Sequence, residues 1–288
     1  MILEDFITLL SEEFTATINP FGAELCSVKH KLSNCEFIWQ ASDIWPRHAP
    51  VLFPFVGRLN EFVYNYEGHP YSIEQHGFAR ESLFEVIFMT SQKVVLELKN
   101  NEYSFQRFPF EFLFKVSYTL DGNKLIMGFE IENLSKRLMP VSFGGHPAFN
   151  IQSPEDAYLE FDKDRELMSY QLTNGLISDS LELISDNTGK IQVTNETFKK
   201  DALIFKHLKS DYIILKSKSN TSSVSVGISN WPFLGIWSKP AANFVCIEPW
   251  QGIADKIGFN SDVSEKEGII MLLSSDKIIK EFSMEFSI

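Results

Sequence analysis

Apolar and polar residues alternate with a period of two in short runs along this chain. Residues 93–98, 112–120, 124–132, 212–216 and 222–228 each put β-branched or aromatic side chains on one face and polar ones on the other. That period belongs to a half-buried strand, because successive side chains leave opposite faces of the pleat. Between the second and third runs, Asp121-Gly122-Asn123 offers residues that accept the positive φ of a tight connection, so the spacing predicts a hairpin. The last segment, 276–288, ends in KEFSMEFSI. It sets Phe282, Met284, Phe286 and Ile288 against Ser283, Glu285 and Ser287, and is expected to close a sheet edge. Helical spacing is scarce: no window keeps apolar residues three and four apart over three turns between an N-cap and a glycine. Short helical turns are expected at 42–49 and 153–158. No linker or repeat divides the chain, and even the most polar stretch, 185–200, carries Ile191, Val193 and Phe198. Closely spaced strands without intervening helices predict an all-β protein, a large antiparallel sandwich or barrel with few short helices, as a single domain over 1–288.

Composition sets the class. A chain of 288 residues lies within the reach of one large all-β domain, and 44% hydrophobic with 22% charged residues describes a soluble globular protein. The 26 Phe and 5 Trp supply material for a large core. A net charge of −12 repels nucleic-acid phosphates and anionic membrane, which leaves a small molecule as the expected partner. Cys26, Cys35 and Cys246 are odd in number and lack C-x-x-C spacing, the usage of reduced thiols in a cytosol. The N-terminal MILEDFITLLSEEF is acidic where a secretory signal is basic, and no apolar run approaches the roughly 18 residues that span a bilayer. A cytoplasmic protein without nucleic-acid or membrane partners, monomeric or a weak homodimer, is the expectation.

Three protonatable groups stand in constrained turns. His146, in VSFGGHPAFN, follows Gly144 and Gly145 and precedes Pro147, which holds it extended; His76, in EQHGFAR, precedes a glycine; Glu248, in VCIEPW, lies among apolar neighbours before a proline. Two imidazoles and a carboxylate suit general acid–base work near neutrality, since imidazole titrates there unaided and a desolvated Glu is raised toward it. The same trio suits zinc, but no H-x-x-x-H or H-x-H pair lies on one element, so no metal is expected. Arg58, in VLFPFVGRL, needs a partner if buried, either a structural carboxylate or a substrate group, and Arg47 and Arg80 offer similar chances. Among Trp231, Phe233, Trp237, Phe244 and Trp250, Trp237 and Trp250 are the rings expected to stack on a ligand's apolar face. A Ser-His-Asp hydrolase is disfavoured by the lack of G-x-S-x-G, and phosphate cradles by the lack of a strand–glycine–helix pattern. A glycosidase needs a second carboxylate, for which Asp201 and Asp255 are available.

Taken in order, GRL at 57–59, QHGFAR at 75–80, GGHPAFN at 144–150 and IEPW at 247–250 resemble the aldose 1-epimerase, or galactose mutarotase, superfamily over the whole chain, most closely its bacterial branch found beside lactose-operon genes. The resemblance implies a galactose mutarotase-like β-supersandwich and cofactor-free interconversion of hexose anomers. It implies Glu248 as the base at the anomeric hydroxyl, His146 as the acid at the ring oxygen, His76 as its assistant, Arg58 as a substrate-orienting group and Asp201 as a hydroxyl ligand. The histidine motifs depart from those of galactose mutarotase proper. A related branch acts on hexose 6-phosphates, whose phosphate Arg47, Arg58, Arg80 or Lys239 would grip; a sugar-binding or sensing protein without turnover is the alternative from another class.

Overall fold

A computed structural model describes residues 6–185 and 187–288; the first five residues of the acidic N-terminal run and one residue of the polar stretch at 185–200 lie outside the described residues. Among the described residues two large antiparallel sheets dominate. One has nine strands, in the order Lys190–Gln192, Ala157–Phe161, Tyr212–Ser217, Ser223–Gly227, Lys277–Ser287, Lys124–Asn133, Phe112–Asp121, Lys93–Lys99 and Glu85–Met89. The other has eight: Leu176–Ser185, Leu167–Thr173, Leu203–Lys206, Phe233–Trp237, Phe244–Gln251, Phe143–Gly145 and Val51–Leu52 run in that order, with Ala148–Asn150 also paired to Phe244–Gln251. A three-stranded sheet, Ile7–Leu10, Phe14–Asn19 and Glu24–His30, and two two-stranded ribbons complete it.

The alternation read in the sequence is the alternation of burial. Phe112–Asp121 points Phe112, Phe114, Val116, Tyr118 and Leu120 inward, and each such side chain contributes about 1.5–3 kcal/mol on leaving water. Across the inter-sheet space Phe129 meets Phe143 at 5.6 Å between centroids and Phe161 meets Phe205 at 5.8 Å, so the two sheets share one apolar layer. The expected hairpin forms between Phe112–Asp121 and Lys124–Asn133, with Gly122 at φ +57°.

Two expectations are corrected. The final strand Lys277–Ser287 does not close an edge: it is fifth of nine, paired on one side to Lys124–Asn133 and on the other to Ser223–Gly227. Alternation reports which face is buried, not whether the strand's hydrogen-bonding flanks are occupied, so it cannot distinguish a central strand from an edge. Residues 42–49 form no helix; Ser42 bridges to Trp45 and the rest is irregular. The segment 153–158 holds a single 3-10 turn, Pro154–Asp156, before strand Ala157–Phe161 begins. No helix among the described residues is long and apolar enough to cross a membrane.

Candidate active site

Strand Phe244–Gln251 is buried at all but its last residue, and its two faces have different fates. Val245 and Ile247 enter the core between the sheets. Phe244, Cys246 and Trp250, and with them by the same period Glu248, face the outer side. The neighbouring strands repeat the division: Leu234 and Ile236 point inward while Phe233 and Trp237 point outward, and Leu203 and Phe205 point inward while Ile204 points outward. Loops cover this outer face, leaving a cleft of about 290 Å³, at the small end of small-molecule sites.

His146 reaches Glu248 through strand register. Gly144 pairs with Trp250 and Ala148 with Cys246, the same register on both sides of the interruption at His146-Pro147, so His146 faces Glu248 directly across the pair. Glycine is needed beside it: a Cβ on Gly144 would lie 2.6 Å from the Pro249 carbonyl, and one on Gly145 would lie 2.7 Å from the Phe282 ring. His146 Nε2 stands 3.1 Å from Glu248 Oε2. The angle is not that of a formed hydrogen bond, and both Glu248 Oε2 and His146 Nδ1 are buried without one. Trp45 stacks on the imidazole at 5.3 Å and Trp237 meets its edge at 6.0 Å.

His76 arrives from the other side, its ring centroid 5.7 Å from that of His146. It adopts φ +66°, followed by Gly77 at +71°, where a Cβ would lie 2.2 Å from the Phe53 carbonyl oxygen. The turn therefore needs glycine at 77. The Gly57 N–H donates to His76 Nδ1 at 3.1 Å. A neutral imidazole has one acceptor nitrogen, so His76 carries its proton on Nε2, 3.3 Å from the Gln75 side-chain nitrogen, which cannot accept it.

Burial dominates the electrostatics. It raises the Glu248 carboxyl well above the ordinary range, with the Asp201 carboxylate adding in the same direction. Burial lowers His146 to about 3, helped by the Arg80 and Arg47 charges, and lowers His76 well below the usual imidazole value. The close pair His146–Glu248 therefore holds one proton across a wide pH range. Cys246 lies beside them; burial first and Glu248 second hold its thiol protonated. His146, Cys246 and Glu248 place potential ligand atoms within 4.8 Å of one another, Cys246 and Glu248 from one strand and His146 from the interruption opposite, about a hundred residues earlier in the chain.

Of the residues singled out in the sequence, the cleft gathers His76, His146, Glu248, Arg80, Asp201, Trp237 and Trp250. Arg80 donates to the Gln75 carbonyl at 2.8 Å and keeps a buried, unpartnered Nε. Asp201 sits at φ +116°, a conformation rare outside glycine and of the kind that clusters at functional sites. Arg58, expected to orient a ligand, stands outside that group. It does not line the cleft; its Nη1 donates to the Asn174 carbonyl at 2.7 Å and its guanidinium lies over the Phe62 ring at 4.5 Å, while its Nε, like that of Arg80, is buried without a partner. It braces the hairpin tip whose Gly175 forms part of the cleft wall. Asp255 is likewise structural, 2.6 Å from Lys266 Nζ in a buried pair and accepting the Asn60 N–H at 2.8 Å. Arg47 is paired with Glu81, and Lys239 donates to the Ile44 carbonyl at 2.6 Å. Trp231 belongs to the inter-sheet core, edge-on to Phe129 and Phe143. Trp45 and Gln75 also line the cleft; a lone Trp in a polar segment is a faint signal for the first, and Gln75 stood unremarked beside His76.

A family model described as aldose 1-epimerase matches residues 5–263. Protein LacX, chromosomal, of Lactococcus lactis subsp. lactis is 28% identical over 96% of this chain and 98% of that protein. Among solved structures, a galactose mutarotase related enzyme from Lactobacillus acidophilus superposes with a TM-score of 0.94 at 36% identity, covering 99% of this chain and 98% of the other. A galactose mutarotase-like protein from Lactobacillus casei ATCC 334 superposes at 0.93 with 28% identity, covering 98% and 100%.

Proposed function

Since the chain belongs to the aldose 1-epimerase family, we propose that it interconverts the α and β anomers of a free hexose, with Glu248 and His146 moving the protons. The observation that carries this reading is the cross-strand pair itself: a carboxylate and an imidazole 3.1 Å apart at the floor of a cleft, each with a buried polar atom left without a partner.

The pair holds one proton, and its two arrangements are the two ends of ring opening. With Glu248 ionised and His146 protonated, the carboxylate takes the O1 proton and the imidazolium gives its own to O5. The C1–O5 bond breaks and an aldehyde forms. The pair is left as neutral imidazole and carboxylic acid, the arrangement that burial favours for these two groups. Rotation about C1–C2 followed by the reverse transfers closes the ring on the other face and restores the pair. His76, with its proton on Nε2, supplies a hydrogen bond to O5 that strengthens as charge develops there. Arg80 and Asp201 offer a donor fork and an acceptor to sugar hydroxyls, and Trp237 and Trp250 offer apolar faces to the ring. Each proton transfer contributes typically 10²–10⁴ in rate. No redox group or added cofactor enters this scheme.

Charge favours a free hexose over a hexose 6-phosphate. Arg80 is the one cationic side chain among the described residues lining the cleft, Asp201 stands in the same space, and Arg47, Arg58 and Lys239 are committed elsewhere. Polarimetry of freshly dissolved α-D-galactose and α-D-glucose, then of hexose 6-phosphates, tests the reading. The free sugars are expected to relax well above the buffer rate, without inhibition by inorganic phosphate. If wild type leaves every sugar at the buffer rate, the protein is a binder; if only phosphorylated sugars respond, the charge argument is wrong.

A further inference from the structure

We propose that the floor of the cleft is also a site for a thiophilic divalent cation such as Zn²⁺, held by Cys246, His146 and Glu248, and that the ion and a hexose exclude one another. Three ligand types of the kind zinc prefers converge within 4.8 Å, Cys246 and Glu248 on one strand and His146 in the short interruption between two segments paired to it. A tetrahedral site with zinc–ligand distances of about 2.0–2.3 Å needs ligand atoms roughly 3.5 Å apart, so side-chain rotation of about 1 Å assembles it.

Two further observations point to a ligand there. Glu248 Oε2 is 1% exposed as a residue and unpartnered, and His146 Nδ1 is buried and unpartnered as well. Charge closes too: Zn²⁺ with one thiolate, one carboxylate and a neutral imidazole is neutral overall, which suits a buried floor. Binding releases two protons, one from the Cys246 thiol and one from the His146–Glu248 pair. His146 and Glu248 line the cleft while Cys246 lies buried beside them, so an ion held by all three borders the space that O1 and O5 of a sugar would take. The ion is thus an inhibitor that occupies both proton-transfer groups, not a resident cofactor.

Cobalt reads the site directly, because a thiolate ligand gives Co²⁺ an intense near-ultraviolet charge-transfer band. Wild-type protein titrated with Co²⁺ is expected to show that band, to lose it when Zn²⁺ is added, and to bind Zn²⁺ more weakly as D-galactose is raised. Cys246→Ala is expected to lose the band and weaken Zn²⁺ binding about 100-fold or more. Cys26 and Cys35 remain in that variant, so a band that survives in it overturns the proposal. So does wild-type protein that gives no band, or Zn²⁺ binding unaffected by galactose. The exclusion of sugar from Glu248 rests on the function proposed above, but the spectrum does not: a cobalt–thiolate band in a protein that relaxes no sugar would refute the enzyme and leave the metal site standing.

Discussion

Glu248→Gln removes the proposed base with little change of shape. The side chain is 1% exposed, and the amide keeps its volume and one acceptor oxygen. It loses the negative charge and the site that takes the O1 proton. General-base assistance is worth about 10²–10⁴, so kcat is expected to fall by that factor, about 2.7–5.5 kcal/mol in barrier, with KM little changed. Stability should move the other way. Burial raises the Glu248 pKa in the folded protein above its unfolded value, so the folded state keeps the proton to higher pH; the stability this confers is present below the unfolded carboxyl pKa and is lost as pH rises through the folded one. Glutamine has no proton to lose. The variant's Tm should therefore match wild type in mild acid and exceed it increasingly as pH rises through that window. Polarimetry with the buffer rate subtracted measures the first effect and calorimetry at several pH values the second. A variant that turns over at the wild-type rate refutes the assignment of the base; one that is inactive and also less stable at neutral pH refutes the electrostatic argument.

Further outcomes follow from the same geometry. With a chelator present, kcat/KM should be bell-shaped, its acid limb near pH 3 where His146 takes a second proton and its alkaline limb at the raised Glu248 pKa; a single limb at the ordinary carboxyl value of about 4.3 would show that the pair does not act as a unit. Trp45→Ala removes the ring stacked on His146 and admits water, so the alkaline limb should shift to lower pH, and a profile identical to wild type would refute the role of that cover. Gly235→Ala places a methyl 2.4 Å from the Trp250 ring, which must leave the cleft floor; KM should rise and stability fall by about 1–3 kcal/mol in urea unfolding. Lys266→Met strands the buried Asp255 carboxylate and should cost about 3–5 kcal/mol, most of it regained with Asp255→Asn.

Strand content was legible in the chain because alternation over runs such as 112–120 leaves a β-sheet as the one regular structure that buries a single face. Sheet order was not: KEFSMEFSI reads the same at an edge or in the centre, and pairing with 124–133 and 223–227 decides which. The site was half legible. Glycine and proline around His146 and before Trp250 mark backbone that needs close approach or fixed φ, which is a local property of the sequence. That His146 stands opposite Glu248 is a property of register, set by pairings about a hundred residues apart. Arg58 shows the converse failure. A guanidinium beside a glycine suggests a ligand, but the Asn174 carbonyl it binds belongs to an Asn174-Gly175 hairpin tip 116 residues away, a pairing the sequence around Arg58 does not announce. Trp45 falls in a stretch where a helical turn is expected, whereas the irregular backbone there lets its ring stack on His146.

The position of the pair on the outer face explains how the proposed site would work with so few groups. On the inner face a carboxylate would meet only apolar and aromatic side chains, and no sugar could reach it. On an ordinary solvated outer face it would keep a carboxyl pKa near 4, too weak a base to gain much from the O1 proton. Here the outer face is roofed by Trp45, the His76 turn and the hairpin tip at Gly175, which take Glu248 almost wholly out of water while leaving a cleft beside it. The same desolvation that lifts the carboxyl depresses both imidazoles, so one proton is left for His146 and Glu248 to pass between them. A reaction that consumes one proton at O5 as it releases another at O1 needs a catalyst whose proton count does not change, and a covered cross-strand acid–base pair is a sufficient way to build one.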